Sequence, residues 1–253
     1  MGTIIIKAVD EIERIRAAGR ITADVLSELS AEIKAGVSTA DLDRAAEKLI
    51  RARKAEPVFI GYRGYRHATC ISVNHEVVHG VPGGKVLQEG DIVSVDVGVK
   101  KDGYCGDAAV TFPVEKIDRK AEKLLRVGKE ALRAGIRQAR AGNHLGDISH
   151  AIQRQAEKNG FSVVRDLYGH GIGRDMHEDP LIPNYGNAGE GPELKAGMVL
   201  AIEPMINVGG SKIRTLPDGW TVVTEDGSLS CHFEHTVLIT EGVPEILTLR
   251  NDP

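Results

Sequence analysis

Four carboxylates sit in or beside stretches that otherwise read as buried strand. Residues 92–99 are rich in Val and Ile, the pattern of a strand covered on both faces, yet Asp96 stands in their middle. Asp is depleted in strands, and a buried carboxylate without a partner is costly or takes up a proton. The chain then meets Lys100-Lys101-Asp102-Gly103, a hairpin signal, and returns through residues 104–114 with Asp107 on the way. With Lys101-Asp102 as the turn, Asp96 and Asp107 lie directly opposite; with Asp102-Gly103, Asp107 faces Gly98, two residues along. Either register sets both acids on one face, because strand side chains alternate with period two. Glu203 follows a strand over residues 198–202 and precedes Pro204, which biases it to an extended backbone. Glu234 leads into a strand over 235–240, and His170 stands between Gly169 and Gly171, where backbone can come close. A single such acid would read as a salt bridge or a strand-end hydrogen bond. Four of them with a glycine-flanked histidine need a positive charge among them. Mostly carboxylate donors with one imidazole suit Mn, Fe, Co or Zn, and two ions can share bridging carboxylates.

A pattern that occurs twice carries these residues. Helices over about 10–34 and 38–54 open the chain, the second with Ser38 and Asp41 placed for a capping box. Helices over about 118–140 and 145–159 follow later. Lys34-Ala35-Gly36, Asp41-Leu42 and Ala45 match Arg140-Ala141-Gly142, Asp147-Ile148 and Ala151 at an offset of 106. Gly90 to Asp96 matches Gly197 to Glu203 at an offset of 107, and Val78-His79-Gly80-Val81 resembles Gly169-His170-Gly171-Ile172. Three matches in one order predict two similar halves, about 10–115 and 118–248, within one domain over 1–253, with the site at their joint. Asp218-Gly219 and Glu225-Asp226-Gly227 mark turns on either side of a strand over 220–224.

Composition narrows the function classes. A net charge of −4 argues against nucleic-acid binding, which leans on Lys and Arg. Cys70, Cys105 and Cys231 show no CxxC spacing and read as reduced thiols of a cytosolic protein. No signal peptide is expected, nor any run near the roughly 18 apolar residues of a membrane span.

At this point the chain resembles the methionine aminopeptidases of the short bacterial type I form, over nearly its whole length. The segments that carry the resemblance are Gly61-Tyr62-Arg63-Gly64-Tyr65, Cys70 to Asn74, Val78-His79-Gly80, Asp96 with Asp107, Gly169 to Gly173, Met176-His177-Glu178, Ile202 to Met205, Arg214-Thr215, Asp218 to Thr221 and Glu234-His235-Thr236. The resemblance implies an α+β pita-bread fold, a curved antiparallel sheet with outer helices and a pseudo-twofold repeat. It implies two divalent ions (Co, Mn, Fe or Zn), with Asp107 and Glu234 bridging, Asp96 binding one ion, and His170 with Glu203 completing the other. Glu203 would shuttle protons, His177 would help stabilise the oxyanion and His79 would stand near the scissile nitrogen. The nucleophile implied is a hydroxide formed from a water that two cations share. Phe59, Tyr62, Tyr65, Cys70 and Trp220 would form the methionine pocket, with His79 and His177 also at the substrate. The substrates implied are N-termini of nascent chains with a small second residue, met in the cytoplasm and plausibly near the ribosome, although no basic tail argues for docking there. A monomer is expected. Arg63, Met176 and Ala108-Ala109 depart from the usual pattern, which bears on pocket shape rather than on the metal set.

Three rivals share parts of this signal. An aminopeptidase P or prolidase would normally carry a large additional N-terminal domain. A binding module that had lost catalysis would have lost metal ligands, and all five positions are present. A two-metal phosphoesterase would show more His ligands and a basic clamp.

Overall fold

In the computed structural model, which describes residues 2–250, α1 (Val9–Ser30) turns Ile15, Ala18, Thr22, Leu26 and Leu29 inward at helical spacing. It is shorter than the sequence predicts, because Ala31 N–H reaches back to Glu28 in a tightened last turn. Ser38 caps α2 (Thr39–Ala52): its Oγ accepts from Asp41 N–H at 3.2 Å, and the Asp41 carboxylate accepts from Ser38 N–H at 3.2 Å. Then come β1 (Glu56–Pro57), β2 (Thr69–Val73), β3 (Glu76–Val78), β4 (Ile92–Lys101) and β5 (Tyr104–Pro113). The second helix pair is α3 (Arg119–Gln138), capped by Asp118, and α4 (Leu145–Glu157). Ten short strands finish the chain: β6 (Ser162–Val163), β7 (Tyr168–Gly171), β8 (Glu178–Pro183), β9 (Val199–Ile202), β10 (Met205–Asn207), β11 (Ile213–Thr215), β12 (Val222–Thr224), β13 (Ser230–His232), β14 (His235–Leu238) and β15 (Glu245–Ile246).

Every strand pair is antiparallel among the described residues. One sheet runs β1-β4-β2 with β5 also on β4, and a second runs β15-β14-β9-β7-β8. Two small ladders, β13-β10-β6 and β11-β12-β3, lie between them in connectivity. The large core takes Leu26, Leu29, Leu42 and Ile50 from the first helix pair and Leu124 and Ile148 from the second. Against them pack Val93, Val95, Val97 and Val99 of β4, Ala108 and Val110 of β5, and Leu200 and Ile202 of β9. Helices therefore cover one face of the strands, and the alternate residues Ser94, Asp96, Gly98 and Asp107 turn to the other.

Close backbone approach holds α1 on this sheet. A Cβ on Gly106 would stand 2.6 Å from Gly19 N, so only glycine fits there. Thr22 Oγ1 donates to Gly106 O at 3.1 Å across the same contact. Among the described residues no helix is long and apolar enough to cross a membrane.

Candidate active site

The hairpin β4–β5 decides the first two acids. Lys101 pairs with Tyr104, so Asp102 and Gly103 are the turn, both with positive φ (49° and 82°) as a type I′ turn requires. Of the two registers the sequence allows, this one sets Gly98 opposite Asp107 and Asp96 opposite Ala109. Direct opposition of the two acids is overturned, because Lys101 belongs to the strand and leaves the turn to the Asp-Gly pair. Both carboxylates still share one face.

Strand β14 and the residue before it are pinned to this hairpin by hydrogen bonds. Thr236 Oγ1 accepts from Asp107 N–H at 3.0 Å and donates to Asp107 O at 2.8 Å, and Glu234 N–H donates to Ala109 O at 2.9 Å. Glu234 is thereby set beside Asp107. Glu203 leaves β9 next to Pro204, and its carbonyl accepts from Asn184 Nδ2 at 3.1 Å. On β7, a Cβ at Gly169 would lie 2.5 Å from Ala201 O and one at Gly171 2.2 Å from Asp179 O. Both flanking glycines are needed for His170 to pack this tightly. His170 Nδ1–H donates to Gly171 O at 2.9 Å, which leaves the Nε2 lone pair for a ligand.

His170 Nε2 lies 3.7 Å from Glu203 Oε1 and 4.0 Å from Asp107 Oδ2. One donor atom each from Asp107, His170 and Glu234 falls within a 4.8 Å group. Asp96 Oδ1, Asp107 Oδ1 and Glu234 Oε1 are shut from water with no hydrogen-bond partner. Burial drives the carboxyls up: Asp96 to about 7, Glu203 to about 8, and Asp107 and Glu234 well above their ordinary range, the last two also pressed by neighbouring acids. Burial pushes His170 the other way, to about 3, and His177 beside it adds to the effect. Orphaned, crowded, acid-rich and supplied with one free imidazole nitrogen, this donor set fits divalent cations.

These acids open on a cavity of about 320 Å³. Phe59, Tyr62, Tyr65, Cys70 and Trp220 all line it, as do His79 and His177, so every sequence-predicted site residue meets in one place. Tyr65 meets Trp220 edge-on at 4.9 Å between ring centroids. The expected strand over 220–224 starts only at Val222, because Asp218 Oδ1 takes the N–H groups of Trp220 and Thr221 at 2.9 Å each and extends the turn. The His177 ring lies tilted against both Tyr62 and His170, at centroid distances of 5.1 Å and 4.3 Å. Burial, with His232 nearby, lowers His79 to about 4, and desolvation with His79 and Arg63 lowers His177 to about 4, so both rings are neutral at pH 7. Gly98 packs directly behind Phe59 and Met176. A Cβ there would stand 2.6 Å from Phe59 Cε1 and 2.9 Å from Met176 Cε.

Arg63 and Met176, tied to pocket shape by the sequence, line the cavity as well, and sequence reasoning missed two lining residues, Leu181 and His232. His232 is the consequential one, since its Nε2 lies 3.3 Å from Glu203 Oε2. Its two-residue spacing from Glu234 was the available signal.

The class follows from comparison with known proteins. Residues 13–241 match the model of metallopeptidase family M24. A methionine aminopeptidase of Clostridium perfringens is 52% identical over 246 residues, covering 97% of this chain and 99% of the relative. The crystal structure of a methionine aminopeptidase from Thermotoga maritima superposes with a TM-score of 0.96 at 49% identity, covering 97% and 99% of the two chains. A prolidase from Pyrococcus furiosus matches at a TM-score of 0.80 and 25% identity, and there the chain spans 66% of the other protein. The fold is the pita-bread fold of these neighbours. The chain belongs to metallopeptidase family M24 and, within it, to the methionine aminopeptidases.

Proposed function

We propose that this enzyme removes N-terminal methionine from polypeptides whose second residue is small, using two divalent ions (Co, Mn, Fe or Zn). The observation that carries the reading is one cavity with a mixed lining. Part of its lining is the buried acid–imidazole cluster; the rest includes aromatic rings, with the Cys70 thiol across from Asp96, suited to a flexible thioether.

Asp107 and Glu234, pinned side by side, would bridge the ions; Asp96 would hold one and His170 with Glu203 the other. When bound, such ions polarise a carbonyl oxygen and make water acidic near neutral pH. The protein supplies the rest. The pocket wall takes the methionine side chain and thereby sets the peptide carbonyl over the acid cluster. Glu203 holds the proton taken from the attacking water and returns it to the departing nitrogen. Neutral His177 donates an N–H to the developing oxyanion, and His79 stands on the leaving-group side. The preference for a small second residue rests on the family resemblance.

The same reading makes nascent chains the substrate, encountered near the ribosome, and a single chain the working unit. Three free, buried cysteines suit the cytoplasm as its setting.

The test is methionine release from Met-Gly-Ser, Met-Leu-Ser and an Xaa-Pro-Ala peptide by metal-loaded protein. Release from the first, far weaker release from the second and none from the third is the expected order. Cleavage of the proline peptide alone would move the enzyme to the prolidase branch of the fold.

A further inference from the structure

His232 is the one imidazole at the acid cluster to which the reading above gives no task, and its placement is unusually constrained. It ends β13, paired with Met205 of β10, so it lies across from the Glu203-Pro204-Met205 corner. Its N–H donates to Thr111 Oγ1 at 2.9 Å, its carbonyl accepts from the same hydroxyl at 2.8 Å, and Ser94 Oγ closes on Thr111 at 2.8 Å. Phe233 N–H donates to Pro204 O at 3.3 Å. These contacts tie the His232 backbone to β5 on one side and to the Glu203 corner on the other. The side chain is 2% exposed, lines the cavity, and its Nε2 is shut from water without an aligned hydrogen bond.

Distances say which neighbour Nε2 serves. Glu203 Oε2 is 3.3 Å away and Glu234 Oε2 3.9 Å. Glu203 divides its two oxygens, with Oε1 facing His170 Nε2 at 3.7 Å and Oε2 facing His232. A carboxylate that must offer one oxygen to an ion gains from a donor on the other, which stops it rotating and fixes the ligand's orientation.

We propose that His232 is a positioning residue for the metal centre: its Nε2–H donates to Glu203 Oε2 and holds Oε1 towards the ion shared with His170. The inference rests on the metal centre proposed above. At 3.3 Å the pair is within reach, and a ring rotation that aims Nε2–H at Oε2 completes the bond. Loss of the donor weakens the ion position that Glu203 and His170 complete, and spares the other.

The experiment uses the full chain stripped of metal and titrated with Mn²⁺, followed by calorimetry. His232→Gln keeps an N–H donor; His232→Met, of similar length, removes it. Thermal unfolding of each metal-free variant checks its folding. Wild type should show two binding steps. His232→Met should weaken one step roughly 10- to 100-fold and leave the other alone, and His232→Gln should restore most of the loss. Unchanged binding in His232→Met, or equal weakening of both steps, would overturn the proposal. So would His232→Gln falling as far as His232→Met, which would make the ring a direct ligand. If neither variant folds, ¹⁵N-histidine spectra of zinc-loaded wild type decide: a protonated Nε2 on His232 is expected, and a proton-free, metal-shifted Nε2 would refute it. Wild type that takes up no Mn²⁺ would instead overturn the proposed function itself.

Discussion

Removing the metal should make this protein lose stability as pH rises through the neutral range. In the metal-free fold, burial holds the Asp96 carboxyl up at about 7 and Glu203 at about 8, with Asp107 and Glu234 also well above their ordinary range, whereas unfolded Asp and Glu titrate at 3.8 and 4.5. Between those limits the folded state keeps protons that the unfolded state has lost, so each rise in pH favours unfolding. His79, His170, His177, His232 and His235 act oppositely: all are lowered from 6.5, so they favour the folded state as pH rises, an effect largely spent by about pH 7. From about pH 7 to about pH 8.5 the carboxyls therefore dominate. Each retained proton is worth about 1.4 kcal/mol per pH unit, so one to two protons shared over the cluster give a loss of about 2–4 kcal/mol across this window. Urea unfolding of chelator-treated protein at both ends of the window measures it. Saturation with Mn²⁺ should flatten the slope, because ligating carboxylates are already ionised, and Glu234→Gln should flatten it in part without metal. Metal-free stability that stays level or rises over this range would refute the reasoning.

Three substitutions test how the site is held. Asp43 on α2 accepts from Ala68 N–H at 3.0 Å, Thr69 N–H at 2.9 Å and Thr69 Oγ1 at 2.8 Å, which fixes the segment between Tyr65 and Cys70. Asp43→Ala should cost about 2–4 kcal/mol in urea unfolding and raise KM for methionyl peptides more than it lowers kcat. Lys7 and Glu178 form an ion pair with side chains only 3% and 8% exposed, next to His177. Lys7→Met should cost about 3–5 kcal/mol, and a further Glu178→Gln change should recover part of it by removing the stranded charge. Gly171→Ala would set a Cβ 2.2 Å from Asp179 O, so it should shift His170 and lower metal affinity measured by calorimetry, while Gly84→Ala, a loop position with open space, should leave affinity unchanged.

Much of this site was legible because strand alternation is rigid. Once Asp96 and Asp107 fall on one hairpin, period two places them together whichever turn is used. Positive φ at both Asp102 and Gly103 then selects the register. The helix bounds held within a few residues for the same local reasons, and Ser38 and Asp118 act as caps. What the sequence hid depends on contacts distant in the chain. Trp220 lies outside its expected strand because the Asp218 side chain competes for backbone N–H groups. Leu181, 57% exposed on β8, reaches the cavity rim only through the β7–β8 pairing. His232 lacked any visible partner until β10 and β13 brought it to Glu203. The resemblance quoted Glu234-His235-Thr236, and the residue two positions earlier fell outside that motif.

The central claim is that the buried acid–imidazole cluster binds divalent ions and uses them to release methionine. It is tested most directly by following free methionine from Met-Gly-Ser while metal-free protein is titrated with Mn²⁺, beside a Glu203→Ala variant matched for folding. The account predicts no release without metal, activity that rises and saturates as metal is taken up, and loss of at least about 100-fold in the variant. Full release from rigorously metal-free protein, or a Glu203→Ala variant as active as wild type, would contradict it.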